Sequence, residues 1–328
     1  MSGKWLRLLA GSLPALACAC GPGSPAGPDA DAGADTLGEC VPPAEADLEG
    51  AWALRAFVRL EMLEDPAAVI HVCDDPPVAL ATVTWLVRME PEAGGEAGLA
   101  FRSCAIELPQ VTASFADCTL GETFVAYLMT SDALDGSLPL VERSGLARTE
   151  VRDGCLGFES DDLFVRIGIP SDLADTVPLP GWDLSCTGTT AIECVPGFET
   201  NVLDTDSDGS PGVTFEIDTD PSGLVEGMAW ATLRHTPNPR GTVLGATSVS
   251  GRLEPVLEYD VVGSDASMSG LPIDTPTVKR NLPRFVPIAE GSYFLMVRID
   301  GRHGSVDLGG GDGVITCDEV NASPGLFD

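Results

Sequence analysis

Short runs of alternating or β-branched apolar residues recur along the chain, and clusters of Gly, Pro and Asp separate them. This spacing predicts β-strands joined by turns, whereas patterns typical of amphipathic helices are scarce. We therefore predict an all-β fold with a sandwich or barrel architecture. The predicted strands are 52–60, 79–88, 99–108, 123–129, 163–169, 213–217, 242–249 and 293–299.

One short sequence occurs twice, and each copy opens a strand-like run. Residues 49–55 read EGAWALR, and residues 226–234 read EGMAWATLR with two insertions. Two interpretations stay open: two related β units joined by an acidic Asp-rich loop, or chance similarity. We divide the folded part into a disulfide-rich β unit, 40–200, and a β unit that opens with the acidic loop, 201–328.

The first twenty residues have the order of an export signal. Lys4 and Arg7 precede an apolar run over 8–17, which is half of the roughly 20 residues that a membrane-spanning helix needs. Small residues then flank Cys18 and Cys20. This order resembles the lipobox of bacterial lipoproteins, in which a cysteine after a small residue is acylated and becomes the mature N-terminus. The resemblance implies a signal peptide over 1–19 and a lipidated Cys20, with Cys18 or plain secretion as alternatives.

Cysteine parity favours Cys20 as the anchor. The chain has ten cysteines, and loss of Cys18 with the signal and use of Cys20 would leave 10 − 2 = 8, which can all pair. An even set in an oxidising compartment predicts a disulfide framework. Cys186 and Cys194 are placed to close a hairpin, and Cys104 and Cys118 bracket a longer turn, while the full connectivity stays open.

Residues 20–39 are rich in Pro, Gly, Ala and Asp and contain almost no apolar mass. Such a segment cannot bury enough surface to offset its ordering entropy. We predict a flexible stalk that holds the folded part away from a membrane surface. The expected location is the cell envelope, on the periplasmic or outer face, with secretion as the alternative.

The charge balance narrows the range of partners. Fifty acidic residues oppose 18 basic ones, for a formal net charge of −32 at pH 7. Such a chain repels phosphate backbones, so we exclude nucleic acid as a partner. Membrane contact is expected through the N-terminal lipid, and a protein or small-molecule partner stays open. Divalent cations that neutralise clustered carboxylates are expected to bind.

The most specific motif is the segment 204–209, which reads DTDSDG. Three carboxylates at alternate positions before a Gly resemble the opening half of an EF-hand loop and the calcium loops of thrombospondin type 3 repeats. The resemblance implies Ca²⁺ held by Asp204, Asp206, Asp208, the Ser210 carbonyl and Glu216, the last on a strand after the loop. A solvated acidic turn is the alternative, because Asp-Gly is also a hairpin signal.

A segment near the C-terminus resembles an EF-hand loop more weakly. Asp312 and Glu319 match its later positions, but the two opening positions offer no carboxylate. We keep Asp312 and Glu319 as a second candidate metal site. A glycine-rich hairpin loop explains the same residues.

The residues 50–52, Gly-Ala-Trp, match the Gly-x-Trp that opens the first strand of lipocalins. That resemblance implies a barrel that binds a small apolar ligand, with a pocket near Trp52. The chain has three histidines, and it carries no nucleophile elbow, zinc-binding helix motif or phosphate loop. We therefore predict a non-enzymatic, lipid-anchored envelope protein with a binding or structural role. A lipocalin-like barrel is the alternative, and an exported hydrolase is a third hypothesis.

Overall fold

The computed structural model of the protein describes residue 40 and residues 47–91, 96–119, 121–160, 163–221, 223–310 and 313–327. The prediction of an all-β fold is confirmed, since sixteen strands, which we number in chain order, dominate these residues. The predicted signal peptide and stalk, both candidate lipidation residues, Cys18 and Cys20, and Asp312 lie outside the described residues.

Eight strands form a closed antiparallel barrel. They follow one another round the ring in chain order, and the last pairs with the first, which defines an up-and-down barrel. The barrel strands are β1 (Gly50–Leu63), β3 (Val78–Pro91), β4 (Glu96–Glu107), β7 (Glu142–Arg152), β8 (Cys155–Ser160), β12 (Pro239–Gly245), β13 (Ser248–Leu253) and β16 (Arg284–Arg298).

The other strands form a second antiparallel sheet, inserted in the chain between barrel strands. They are β2 (His71–Val72), β5 (Val111–Ser114), β6 (Thr123–Thr130), β9 (Val165–Ile167), β10 (Val213–Asp220), β11 (Val225–Thr236), β14 (Val256–Met268) and β15 (Leu271–Ile273). The order across the sheet is β15-β14-β11-β10-β6-β5-β2, and β9 also pairs with β11. The segments 40–200 and 201–328 each contribute strands to both sheets.

Short helices lie in the connections between strands. The α-helices of the described residues are α1 (Asp132–Ser137), α2 (Ala191–Cys194), α3 (Phe198–Asn201), α4 (Thr275–Asn281) and α5 (Cys317–Asn321). Short 3-10 turns span Leu138–Leu140, Arg302–Gly304 and Pro324–Phe327.

Alternation along β1 explains how the barrel is filled. The side chains of Trp52, Leu54 and Ala56 point inward and are fully buried. On the outer face, Arg55 and Phe57 are half-buried, and Ala53 is buried beneath helix α5. Successive side chains of a strand point to opposite faces, so this pattern places one face of β1 in the core.

The two halves of the longest strands pack against different parts of the structure. β1, β3 and β16 have 14, 14 and 15 residues, and β13 has 6. β13 pairs with only one end of β16, so the other end of the long strands extends past the closed ring. There, Val58 and Leu60 face Phe215 and Leu233 of the second sheet across a cavity. One half of the long strands therefore packs inside the barrel, and the other half packs against the second sheet.

Arg298 and Trp52 join the last barrel strand to the first. The Arg298 side chain is fully buried, and its guanidinium lies 4.5 Å from the centre of a Trp52 ring. It donates hydrogen bonds to the carbonyls of Ala246 (2.8 Å), Glu49 (2.6 Å) and Asp47. A buried cation needs such partners, because an unpaired charge in the interior costs several kcal/mol. Arg298 thus ties three chain segments to the end of the barrel.

Gly50 is required by the same arrangement. Its φ of +132° is a conformation that residues with a side chain rarely adopt, and an added Cβ would lie 1.9 Å from the Asp300 Oδ2 atom. That carboxylate accepts a hydrogen bond from the Arg298 guanidinium at 3.3 Å. The glycine of the Gly-x-Trp motif therefore makes room for the ion pair above the tryptophan.

The two copies of the repeated sequence both open long strands. Gly227 in the second copy has a φ of +137°, close to that of Gly50. The tryptophans differ in their surroundings. Trp52 lies inside the barrel, whereas Trp230 packs against Trp182 on the second sheet.

Four disulfides join the eight described cysteines: Cys40–Cys155, Cys73–Cys118, Cys104–Cys317 and Cys186–Cys194. The predicted closure of a short loop by Cys186 and Cys194 is confirmed. Disulfides of this number are typical of an oxidising compartment outside the cytosol.

The predicted grouping of Cys104 with Cys118 is wrong. Cys104 lies on the outer face of β4 beneath helix α5, where Cys317 approaches to a Cα–Cα distance of 4.9 Å. Cys118 lies between β5 and β6, and the pairing of β5 with β2 brings it next to Cys73. Long-range contacts, rather than closeness in sequence, decide both bridges: a helix packed on a strand for the first and strand pairing for the second.

We predict that Gly50→Ala destabilises the protein by about 3 kcal/mol, because the added Cβ meets Asp300 and the backbone is strained. The matched control is Gly136→Ala in helix α1, where a Cβ meets nothing within 4 Å. The control is expected to leave stability unchanged or raise it by up to about 1 kcal/mol. Urea unfolding measures both, and equal midpoints for the two variants would contradict the role given to Gly50.

Candidate functional site

The aspartate loop connects helix α3 to strand β10. Its main chain turns at Ser207 and Gly209, whose φ angles of 59° and 90° lie in the left-handed region. Thr205 fixes the loop at both ends. Its hydroxyl accepts a hydrogen bond from the Gly168 amide at 2.9 Å, and its own amide donates to the Gly212 carbonyl at 3.2 Å. The loop is therefore held by the main chain of its neighbours.

The three predicted aspartates converge. One carboxylate oxygen from each of Asp204, Asp206 and Asp208 lies within 4.8 Å of the others. Asp204 and Asp208 are exposed, and Asp206 is buried. Negative charges this close repel one another, so the cluster favours a cation between them.

Asp206 carries the clearest sign of a missing partner. The residue is 7 % exposed, and its Oδ2 atom accepts a hydrogen bond from the Thr214 amide at 2.8 Å. Its Oδ1 atom is buried and has no hydrogen-bond partner among the described residues. Burial raises the pKa of Asp206, and the charge of Asp208 acts in the same direction. A buried, unpaired carboxylate oxygen is costly, and a cation at this position would satisfy it.

Hydrogen bonds hold the other two carboxylates in place. Asp204 accepts from the Gly209 amide at 3.0 Å, and Asp208 accepts from the Ser210 amide at 2.7 Å and from the Thr214 hydroxyl. Partial burial acts to raise the pKa of Asp208, but these hydrogen bonds from Thr214 and Ser210 lower it below its usual range. Asp208 is thus held in its charged form beside Asp206.

The remaining predicted ligands have different positions. Ser210 lies in the turn, next to the triad. Glu216 is half-buried on β10, on the same face as Thr214, and its carboxylate is not one of the three that converge. Glu319, from the weaker site, caps helix α5 by accepting hydrogen bonds from the Thr316 amide (2.8 Å) and hydroxyl (3.0 Å).

Sequence reasoning missed Thr214, which positions two of the three carboxylates through its amide and its hydroxyl. The available signal was strand alternation, since Thr214 lies on the face of β10 opposite the core residues Val213 and Phe215.

Two apolar cavities lie against the second sheet, the first opposite the long barrel strands and the second opposite helix α4 and residues 68–72. The first, here called the barrel cavity, has a volume of about 90 Å³ and is lined by Val58, Leu60, Trp85 and Leu233 among others. The second, the helix cavity, has about 110 Å³ and lies beside α4, with Phe124, Ile217 and Val278 in its walls. Each is several times the 10–15 Å³ that one water needs.

His235 is a buried titratable group in the wall of the barrel cavity. It is 7 % exposed, and its ring centre lies 5.9 Å from that of Trp85. Its Nε2 atom has no hydrogen-bond partner in the described part of the chain. Burial lowers the pKa of His235 to about 4, so the imidazole is neutral at physiological pH. The two other histidines contact carboxylates at the surface, His71 with Glu64 and His303 with Asp47.

Within the described ranges, no helix combines the length and the apolar character needed to cross a membrane. Comparisons of the chain with protein-family models, with curated proteins and with solved structures give no match. The aspartate triad and the cavities are therefore the features from which a function can be inferred.

We predict that the burial of His235 makes stability fall on acidification. In the unfolded chain the imidazole takes a proton near pH 6.5, but in the folded protein it does so only near pH 4. This contribution to stability is therefore complete above pH 6.5 and is lost as the pH falls to about 4, by about 3 kcal/mol. The difference in unfolding free energy between the wild type and His235→Phe, measured by urea unfolding across this range, isolates the effect. A difference that does not change with pH would refute it.

Proposed function

We propose that this protein is an exported, lipid-anchored protein of the cell envelope with a non-enzymatic binding role and a calcium-ordered loop. The observation that carries the proposal is the buried, unpaired Oδ1 atom of Asp206 inside a cluster of three converging carboxylates. A solvated turn needs neither a buried carboxylate nor convergence. A bound cation accounts for both.

The chemistry of the cluster favours calcium. Carboxylates and a main-chain carbonyl are hard oxygen donors, and Ca²⁺ accepts six to eight of them in variable geometry, whereas Mg²⁺ requires a strict octahedron. Asp204, Asp206 and Asp208 would supply three, the Ser210 carbonyl a fourth and Glu216 a further one. The ion would neutralise the repulsion within the loop and stabilise the start of β10, because Thr214 binds two of the same carboxylates.

The disulfide pattern supports export and the choice of Cys20. All eight described cysteines pair with one another, so neither Cys18 nor Cys20 is needed as a disulfide partner. Cys20 is then free to carry a lipid at the start of the mature chain, and residues 21–39 separate that anchor from the folded part.

The lipocalin-like alternative also has support from a specific observation. The chain forms an eight-stranded up-and-down barrel whose first strand opens with Gly50 and Trp52, and such barrels can hold one small ligand. The expected pocket near Trp52 is not one of the two cavities, because Trp52 is fully buried beneath Arg298. A small apolar ligand would instead bind at the other end of the long strands, where the barrel cavity lies.

We predict that calcium raises the melting temperature of the purified protein. At a free concentration 100-fold above the dissociation constant, the gain is about 2.7 kcal/mol, or a shift of about 5 °C. Asp206→Asn should abolish the shift, and in a chelator this variant should melt at or above the wild-type temperature, because it removes an unpaired buried charge.

Asp172→Asn, at an exposed aspartate outside the loop, is the control and should keep the full shift. Differential scanning calorimetry with and without a chelator measures all three proteins. A full calcium shift in the Asp206→Asn protein would show that the ion binds elsewhere.

We predict that the anchor depends on Cys20. When the whole chain is expressed in a bacterium that processes lipoproteins, Cys20→Ser should move the protein from the membrane fraction to the soluble fraction. Cys18→Ser, the matched control, should leave it in the membrane. Intact-mass analysis should show a lipid adduct on a mature chain that starts at Cys20. Release by Cys18→Ser alone would make Cys18 the anchor, and a wild type that is soluble and without lipid would establish plain secretion.

A further inference from the structure

We propose that the barrel cavity and the helix cavity together form one binding site for a single-chain amphiphile with an anionic headgroup, such as a fatty acid. The apolar chain would run from the helix cavity into the barrel cavity, and Arg280 would bind the headgroup. This inference deepens the binding role proposed above and does not depend on the calcium site.

The two cavities adjoin one another. Leu128, Leu282 and Phe285 belong to the walls of both, so these three side chains form the boundary between them. A path through both cavities passes between these three side chains and is therefore elongated. An extended alkyl chain fits such a shape better than a compact ring system, and its burial gains about 0.8 kcal/mol for each methylene.

The polar residues of the walls lie mainly in one of the two cavities, which determines how an amphiphilic ligand would be oriented. The walls of the barrel cavity are apolar apart from His235, Thr236 and Tyr259, and they contain no Arg, Lys, Asp or Glu. The helix cavity has Arg280, Asn281, Thr277 and Glu64 in its walls. A ligand with one polar end would therefore place that end in the helix cavity.

The polar neighbours of Arg280 are already engaged. The Glu64 carboxylate accepts from the Val72 amide at 2.5 Å and contacts the His71 ring at 3.1 Å. The Asn281 side chain accepts hydrogen bonds from the amides of Val69 and Ile70, both at 2.8 Å. These groups hold the segment before β2 against α4, so they complete the wall of the helix cavity.

Arg280 itself is available to a ligand. It is half-buried in the last turn of α4 and makes no ion pair with the described residues. Lys279, the preceding residue, is by contrast paired with Asp260 at 2.5 Å. Among the described residues, Arg280 is the only arginine or lysine in the walls of the two cavities. Its planar guanidinium matches the two oxygens of a carboxylate.

The test uses decanoate and the matched neutral probe decan-1-ol, with the full mature protein in a chelating buffer, so that calcium neither binds the loop nor precipitates the fatty acid. Isothermal titration calorimetry should show decanoate binding about tenfold more tightly than decan-1-ol. Arg280→Gln should remove this preference, Arg280→Lys should keep part of it, and Arg252→Gln, at an exposed arginine of the barrel, should leave it unchanged. Melting curves confirm that each variant is folded.

A second variant tests whether one chain occupies both cavities. Ala229 lines the barrel cavity, and Ala229→Leu should fill part of it. In the wild type the affinity should rise about fourfold for each methylene between hexanoate and decanoate. In the Ala229→Leu protein that rise should stop, while hexanoate, which fits in the helix cavity alone, should bind as before.

Each failure has a distinct meaning. Equal affinity for decanoate and decan-1-ol, or an unchanged preference in Arg280→Gln, would overturn the headgroup assignment. A chain-length dependence that Ala229→Leu leaves intact would overturn the joined site. If neither probe binds the wild type, this site is wrong, while the calcium-dependent rise in melting temperature still reports on the proposed function independently.

Discussion

Closure of the barrel depends on the contact between Arg298 and Trp52. An up-and-down barrel forms only when its last strand returns to its first, and here Arg298 of the last strand binds Glu49, 249 residues away in sequence, just before the first. The buried guanidinium lies on the tryptophan ring and binds main-chain carbonyls from the segment before β1 and from the turn before β13. Such an ion is stable in the interior only when all three elements are in place, so it favours the closed ring over open sheets. The second sheet packs on the far ends of the same strands and therefore also relies on this closure.

Strand β10 links the two candidate sites. Thr214 binds the aspartates on one face of the strand, and its neighbour Phe215 lines the barrel cavity on the other. Alternation along a strand makes this arrangement unavoidable, since adjacent side chains point to opposite faces. A cation in the loop would fix the start of β10 and so the wall of the cavity. The two sites differ in chemistry, because the loop gathers three carboxylates and the walls of the barrel cavity contain none.

The sequence predicts what is local and misses what depends on long-range pairing. Alternation predicted the class and the position of β1, and the spacing of Asp204, Asp206 and Asp208 predicted a convergent cluster, since a tight turn brings alternate side chains together. The predicted strand 242–249 instead spans the turn between β12 and β13, because both flanking segments are apolar and no Asn-Gly or Pro marks the turn. Cys104 pairs with the distant Cys317 because helix α5 packs on β4, and no local pattern predicts that contact. The cavities have no local signal, because their walls come from strands that meet only in the folded sheets.

The core is closely packed at one end of the barrel and contains cavities at the other, and this contrast supports a function for the cavities. Trp52 and its neighbours fill the closed end of the barrel, where Gly50 leaves room for the Arg298 guanidinium. The other end of the same strands leaves space between apolar walls, although empty volume in a core costs stability. A chain that fills one end closely has the residues to fill the other: Ala81, Ala229 and Ala231 line the barrel cavity, where larger side chains would remove it. Positions where a sequence departs from close packing without a structural gain are the places where function is expected. The disulfides and the closely packed end of the barrel supply the stability that offsets the loose packing at the cavities.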